Sequence, residues 1–206
     1  MLKLIFAAVI AVIVNSTVVL AKTETAVFAG GCFWCVESDM DKVKGVVSTT
    51  SGYAGGTMKN PTYRNHDGNQ EAVRVEFDPA IIPYEKLVAR FLRTIDVTDA
   101  SGQFCDRGDS YTSAIFATSE QKSAAAKALA DASSKLGVKL ATPLKPFTTF
   151  TEAEDYHQNY YLGTNRVLTR FGYIKQSDAY HRYREGCGRD VQVKKVWGAA
   201  AFTPGS

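Results

Sequence analysis

Gly30-Gly31-Cys32-Phe33-Trp34-Cys35-Val36-Glu37 stands where a short β-prone run, residues 24–28, passes through Ala29 and two glycines into a helical run stopped by Gly45. At a helix start the first backbone N–H groups lack partners and the helix dipole is positive, and both favour a thiolate. Cys32 therefore reads as a thiol of depressed pKa and as the candidate nucleophile. Cys35 follows across one helical turn, within disulfide reach. Phe33 and Trp34 are placed to wall a pocket for a small apolar group. A plainer reading makes both cysteines small buried hydrophobes and both aromatics core residues. Two glycines, two cysteines and a tryptophan at one strand–helix junction weigh against it. A zinc site from Cys32, Cys35, Cys105 and Cys187 is disfavoured because the last two are solitary and far apart in sequence.

Outward from this junction, residues 46–53 form a second strand candidate. Gly52, Gly55, Gly56 and Pro61 then open a polar loop reaching Gln70. Residues 72–77, AVRVEF, alternate apolar and polar as a half-buried strand does. Pro83 precedes a helix over 84–95, residues 96–110 are irregular, and 111–117 form another strand. Thr118 and Gln121 make a capping box for an Ala-rich helix ending near Leu136. Beyond Gly137 the reading is a short helix around residues 152–161 and a mostly irregular tail. The order β-α-β-β-α-β-α predicts an α+β fold of one domain, a two-layer sandwich with helices on one face of a mostly antiparallel sheet. Its core should be ferredoxin-like and its C-terminal tail long and irregular.

Apolar residues at 45% and charged residues at 22% are globular proportions and exclude wholesale disorder. The net charge of +3 comes without a Lys/Arg block, so the basic stripe of a nucleic-acid binder is missing. Residues 1–21, MLKLIFAAVIAVIVNSTVVLA, combine Lys3 with an apolar run over 4–14 and the small or short side chains Val19-Leu20-Ala21. This reads as a secretory signal peptide, leaving a mature domain of residues 22–206. Asn15, Ser16 and Thr17 interrupt the run and argue against a stable membrane span. The expected compartment is oxidising, most simply a periplasm. Four cysteines are too few for a disulfide scaffold at this length, and a monomer without stable membrane association is expected.

The GCFWCVE run resembles the active-site motif of the A-type methionine sulfoxide reductases, which reduce methionine S-sulfoxide. Gly52-Tyr53-Ala54-Gly55-Gly56 with Asn60-Pro61-Thr62-Tyr63 is similar to that family's second signature. Glu71-Ala72-Val73-Arg74-Val75 with Phe77-Asp78-Pro79 resembles its third, and Asp106-Arg107-Gly108 with Tyr111-Thr112-Ser113-Ala114-Ile115 its fourth. Ala153-Glu154-Asp155-Tyr156-His157-Gln158 and Cys187-Gly188-Arg189-Asp190 look like its late segment and a common ending. The ordered motifs span residues 25–198.

The resemblance implies that Cys32 attacks the sulfoxide sulfur, with Phe33 and Trp34 enclosing the S-methyl group. Glu71 matches the family's acid, which must be partly buried to hold a proton near neutral pH. Tyr63 and Tyr111 match phenols that hydrogen-bond the sulfoxide oxygen, and Asp106 a carboxylate fixing water or substrate. The substrates implied are oxidised proteins or methionine sulfoxide, the electron donor a thioredoxin-like protein, with no metal and no bound cofactor. Many members carry Gly where Cys35 stands, so Cys35 is the expected resolver of the Cys32 sulfenic acid. Cys187, the only tail cysteine, is a candidate for a second recycling step, for pairing with Cys105, or for staying reduced. Asn69 replaces a His common shortly before the Glu. Tyr53, Tyr156 and His157 receive no chemical role.

Each residue also has a plain reading. Tyr63 and Tyr111 are two of ten tyrosines, Glu71 precedes a strand, and Asp106 begins a turn with Gly108. Two rival functions remain. One is a thioredoxin-like disulfide oxidoreductase, whose Cys-x-x-Cys also sits at a helix start. The other is an exported peptide-binding domain with the cysteines as a structural staple.

Overall fold

Alternation along strand β1 (Glu24–Gly30) sends Ala26 and Phe28 to one face and Val27 and Ala29 to the other. The same alternation in β3 (Gln70–Phe77) places Val73, Val75 and Phe77 with Phe28, and Ala72 with Ala29. The structure is a computed structural model that describes residues 22–203. The expected signal peptide, residues 1–21, lies outside the described residues.

The larger face is covered by α1 (Phe33–Met40), α2 (Tyr84–Leu92) and α3 (Lys122–Leu136). These helices bring Val36 and Met40, Leu87, Val88 and Phe91, and Ala125, Ala128 and Ala132 into one core. Phe28 and Phe91 stack at 4.5 Å. The chain continues through β2 (Val46–Ala54), the two-residue strands β4 (Gly102–Gln103) and β5 (Asp106–Arg107), β6 (Ser113–Ala117), β7 (Leu144–Pro146) and β8 (Phe150–Glu152). The main sheet runs β7-β6-β1-β3-β2-β8, antiparallel except where β7 joins β6. Its four long strands thus follow the order fourth, first, third, second, the ferredoxin-like arrangement expected from β-α-β-β-α-β. The capping box is present, with Thr118 and Gln121 each donating a backbone N–H to the other's side chain.

The tail departs from expectation. Residues 152–161 hold two 3-10 turns, Asp155–His157 and Tyr160–Leu162, rather than a helix. Asn159 between them has φ 51°, which a continuing α-helix does not permit. Gln158 ties the segment down by bonding the backbone of Ser51 and Ala153. Nor is the remainder irregular: a hairpin, β9 (Arg166–Thr169) and β10 (Gly172–Lys175), leads into α4 (Gln176–Gly186) and α5 (Arg189–Trp197). Packing orders it. Ala179 and Tyr180 cover Cys32 and Cys35, while Val193 and Trp197 enter the main core. Cys105 and Cys187 form a disulfide joining the loop before β5 to the end of α4. Among the described residues no helix is long and apolar enough to cross a membrane.

Candidate active site

Two glycines make the junction before α1 possible. A Cβ on Gly30 would lie 2.8 Å from Ile95 and 3.0 Å from Phe91 and Val36, so its absence lets the helices close on β1. Gly31 has φ +79°, and a Cβ there would meet Gln103 Cβ at 2.6 Å. Cys32 follows as the helix N-cap, 7% exposed. The helix end does not serve its thiol alone. The Phe33 N–H donates to Glu71 Oε2 at 2.9 Å, so a carboxyl group from β3 occupies the start of α1. Glu71 points there because it shares the helix-facing register of Val73.

That placement corrects the expectation for Cys32. Burial pushes its thiol well above the ordinary value. The Cys35 hydrogen bond and the carboxyl groups of Glu71 and Asp106 add to the rise. Cys35, 1% exposed, shifts the other way: burial raises it, but the bond from Cys32 and the charges of Arg189 and Arg184 outweigh burial. Glu71, 2% exposed, is pushed up to about 8 by burial, against the Phe33 N–H and with help from Asp106 and Cys35. It is therefore a protonated acid at neutral pH.

A cavity of about 50 Å³ gathers Cys32, Phe33, Trp34, Tyr63, Glu71, Asp106 and Tyr111, seven of the residues singled out in the sequence. Cys35 lies behind it against Tyr160, Ala179 and Tyr180, and Cys187 is in the disulfide. The four cysteines weighed as a metal site are thus split into a thiol pair and a disulfide. Larger clefts exist elsewhere, one of about 410 Å³ beside Val43 and Ile82, but its walls carry no thiol.

Residues without a chemical role in the sequence hold these walls. Trp34 Nε1 donates to His157 Nδ1 at 3.2 Å, and its ring stacks on Tyr160 at 3.9 Å. Burial drives His157 down to about 4, against the pull of Glu154, so the ring stays neutral and able to accept. Glu154 accepts from Tyr53 Oη at 3.2 Å and from the Tyr63 N–H at 3.1 Å, fixing the loop that carries Tyr63. Burial pushes Tyr63 up to about 12 and Tyr111 higher, so both phenols remain donors. Tyr183 of α4 completes the lining and donates its hydroxyl to Asp106, whose carboxyl burial pushes up. Nothing in the polar sequence around Tyr183 marks it. Asn69 accepts the Gly56 N–H at 3.1 Å and bears on the loop, not on Glu71.

A protonated buried carboxylic acid, two phenolic donors and a thiol around one small apolar-walled cavity suit an oxygen that must be protonated while a sulfur attacks. Residues 24–195 match the family model of peptide methionine sulfoxide reductases. The chain belongs to that family. It is 46% identical over 204 residues to peptide methionine sulfoxide reductase MsrA 2 of Caulobacter vibrioides, covering 96% of this chain and 98% of the relative. Identity to MsrA 2 of Rhizobium meliloti is 44%, covering 98% of each. The fold resembles methionine sulfoxide reductase A of Corynebacterium diphtheriae with TM-score 0.64 and 29% identity, over 72% of this chain and 78% of that one. It also resembles reduced Mxr1 of Saccharomyces cerevisiae with TM-score 0.63 and 31% identity, over 68% and 84%. As a peptide methionine sulfoxide reductase the protein is an oxidoreductase that reduces methionine sulfoxide at the expense of thiols.

Proposed function

We propose that Cys32 attacks the sulfur of methionine S-sulfoxide while Glu71 gives its proton to the oxygen. Methionine leaves and Cys32 is left as a sulfenic acid. Tyr63 and Tyr111 hold the oxygen, Phe33 and Trp34 enclose the S-methyl group, and Asp106 is fixed by Tyr183. Cys35 then attacks the Cys32 sulfur and expels water, forming the Cys32–Cys35 disulfide. A thioredoxin-like dithiol returns the pair to thiols, and no metal or bound cofactor takes part. The observation that carries this reading is the buried Glu71 carboxyl at the start of α1, in one cavity with the Cys32 thiol. The contact of Cys35 with Cys32 supports its role as resolver. The Cys105–Cys187 pair, already joined, serves as a brace between the Asp106 loop and α4. The apolar start of the chain supports export, most simply to a periplasm, where the mature monomer repairs oxidised proteins.

The test uses residues 22–206 with dithiothreitol and each epimer of a methionine sulfoxide peptide. The S epimer alone should be reduced. Cys32→Ser should abolish the reaction, and Cys35→Ser should complete one turnover and then stall. Recycling of Cys35→Ser at the wild-type rate would remove Cys35 as resolver. Inertness toward both epimers would favour disulfide exchange as the function of the thiol pair.

A further inference from the structure

Trp34 and Tyr183 each have two sides. On one they wall the catalytic cavity of about 50 Å³. On the other they wall a second cleft of about 300 Å³, which the chemistry above leaves unused. Tyr160, Ala179, Phe171 and the Cys105–Cys187 disulfide form the rest of its lining, so its surface is largely apolar. The shared partition is aromatic: Trp34 and Tyr183 meet edge-on at 6.3 Å, and the Trp34 face stacks on Tyr160 at 3.9 Å. Cavity and cleft are therefore neighbours on one rim.

The outer wall is the turn of the β9–β10 hairpin. Val167 and Ile174 pack the hairpin against the cluster of Cys32, Cys35 and Tyr180. Thr169 Oγ1 accepts the Phe171 N–H at 3.0 Å and donates to the Gly172 carbonyl at 3.1 Å, which holds the turn. Phe171 is thereby set at the cleft with 37% of its surface exposed. The guanidinium groups of Arg170 and Arg182 stand 4.7 and 5.5 Å from its ring centroid. Among the described residues neither has a carboxylate within ion-pair distance. A preformed apolar hollow with unpaired cations at its edge fits an apolar side chain that has an acidic neighbour.

The catalytic cavity has room for the sulfoxide end of one side chain, so the polypeptide on either side of it must cross the rim. In an extended chain side chains alternate, and the residue two places along returns to the same face about 6.6 Å further on. A cleft that shares walls with the cavity lies at such a step. Building on the proposed chemistry at Cys32, we propose that this cleft is a specificity subsite for the polypeptide substrate. It takes the apolar side chain of the residue two places from the methionine sulfoxide, against Trp34, Tyr160 and Phe171. Arg170 and Arg182 favour a carboxylate on the residue that follows. Seating a leucine-sized side chain in such a hollow raises kcat/KM by about tenfold over a small polar one. The hairpin thus selects among oxidised methionines by their surroundings, and it prefers apolar segments that folding normally hides.

The test is reduction of capped heptapeptides with a central methionine S-sulfoxide among serines, with dithiothreitol as reductant so that no donor protein competes for the cleft. One serine at a time is replaced by leucine. Leucine two places away, on one side only, should raise kcat/KM by about tenfold, and adjacent leucine by less than about twofold. In Phe171→Ala the leucine-to-serine ratio should fall below about threefold. A ratio is blind to a general loss of active protein, so a fall that is equal for both peptides overturns the assignment. Preference for an adjacent leucine, or for none, overturns it as well. Aspartate after the favoured leucine should add about threefold at low salt, and Arg170→Gln should remove that gain; a gain that survives overturns the role of Arg170. A Phe171→Ala defect seen only with a thioredoxin as reductant would give the cleft to the donor instead. Calorimetric binding of the same peptides to Cys32→Ser should reproduce the leucine preference without turnover. Failure of reduction therefore strikes the catalytic reading, whereas failure of that preference strikes the subsite.

Discussion

Replacing Glu71 with glutamine separates the proton from the shape that carries it. In Glu71→Gln the new amide oxygen can still accept the Phe33 N–H that the carboxyl accepts at 2.9 Å, and the side chain keeps its volume in a fully packed position. Only the transferable proton is lost. General acid catalysis contributes about 10²–10⁴ in rate, so reduction of the sulfoxide in a single turnover should slow by about 10²–10³-fold, with substrate affinity changed by less than about threefold. The assay is rapid quench with prereduced enzyme in excess over a sulfoxide peptide, across a series of pH values. In the wild type the rate should fall as pH rises through about 8, where the carboxyl loses its proton. The variant should lack that limb. Stability gives a second reading. The folded carboxyl is raised above its unfolded value of 4.5, so its stabilising contribution is whole below that value. It is lost as pH rises toward about 8, at most about 5 kcal/mol in all. The amide does not titrate and carries no such loss, so the gap between the two unfolding curves should change over that window in favour of the variant. An unchanged single-turnover rate in a folded Glu71→Gln chain would refute the argument at its root.

Two further outcomes test the frame around the cavity. Cys105→Ser with Cys187→Ser removes a crosslink with a sequence separation of 82, worth about 4 kcal/mol by chain entropy. Thermal unfolding should show the drop and KM should rise as the Asp106–Tyr183 wall loosens. An unaltered Tm would show that the bond carries no load. Gly31→Ala adds both a Cβ clash and strain at positive φ, whereas Gly108→Ala, at φ +105° with no atom near the added carbon, adds strain alone. The first should cost about 1–3 kcal/mol more and slow turnover; equal losses in the two variants would mean that Gln103 yields freely.

The sequence made the long elements legible where periodicity was strong. AVRVEF declared its two faces, and the ferredoxin-like order of strands followed from the succession of elements. Seven site residues named from motifs meet at one cavity. The tail was not legible, because the stripe of α4 is Ala179, Tyr180 and Tyr183 amid charged residues, and glycines at 186 and 188 mask the helix on either side. The same polarity hid Tyr183. The ionisation of the Cys32 thiol is not legible for a different reason: a helix N-terminus favours an anion, but residue spacing does not reveal that Glu71 takes the Phe33 N–H or that Cys32 is buried beside Glu71 and Asp106. Pairing of Cys105 with Cys187 depends on where α4 lands, a long-range fact that no local pattern contains.

The roof over Cys35 comes from α4, more than one hundred residues away along the chain, so the thiol pair is enclosed by contacts of long sequence range. Such contacts form late, after nearer ones have offset the entropy of closing the loop. During synthesis the βαββαβ layer can close first, with both thiols uncovered and the cavity lacking the wall that Tyr183 supplies. Competence thus arrives with the end of the polypeptide. A chain cut short before α4 keeps seven of the eight residues around the cavity but lacks Tyr183 on its wall and Ala179 and Tyr180 over the thiol pair, so the last part of the chain to be made is the part that closes the pocket.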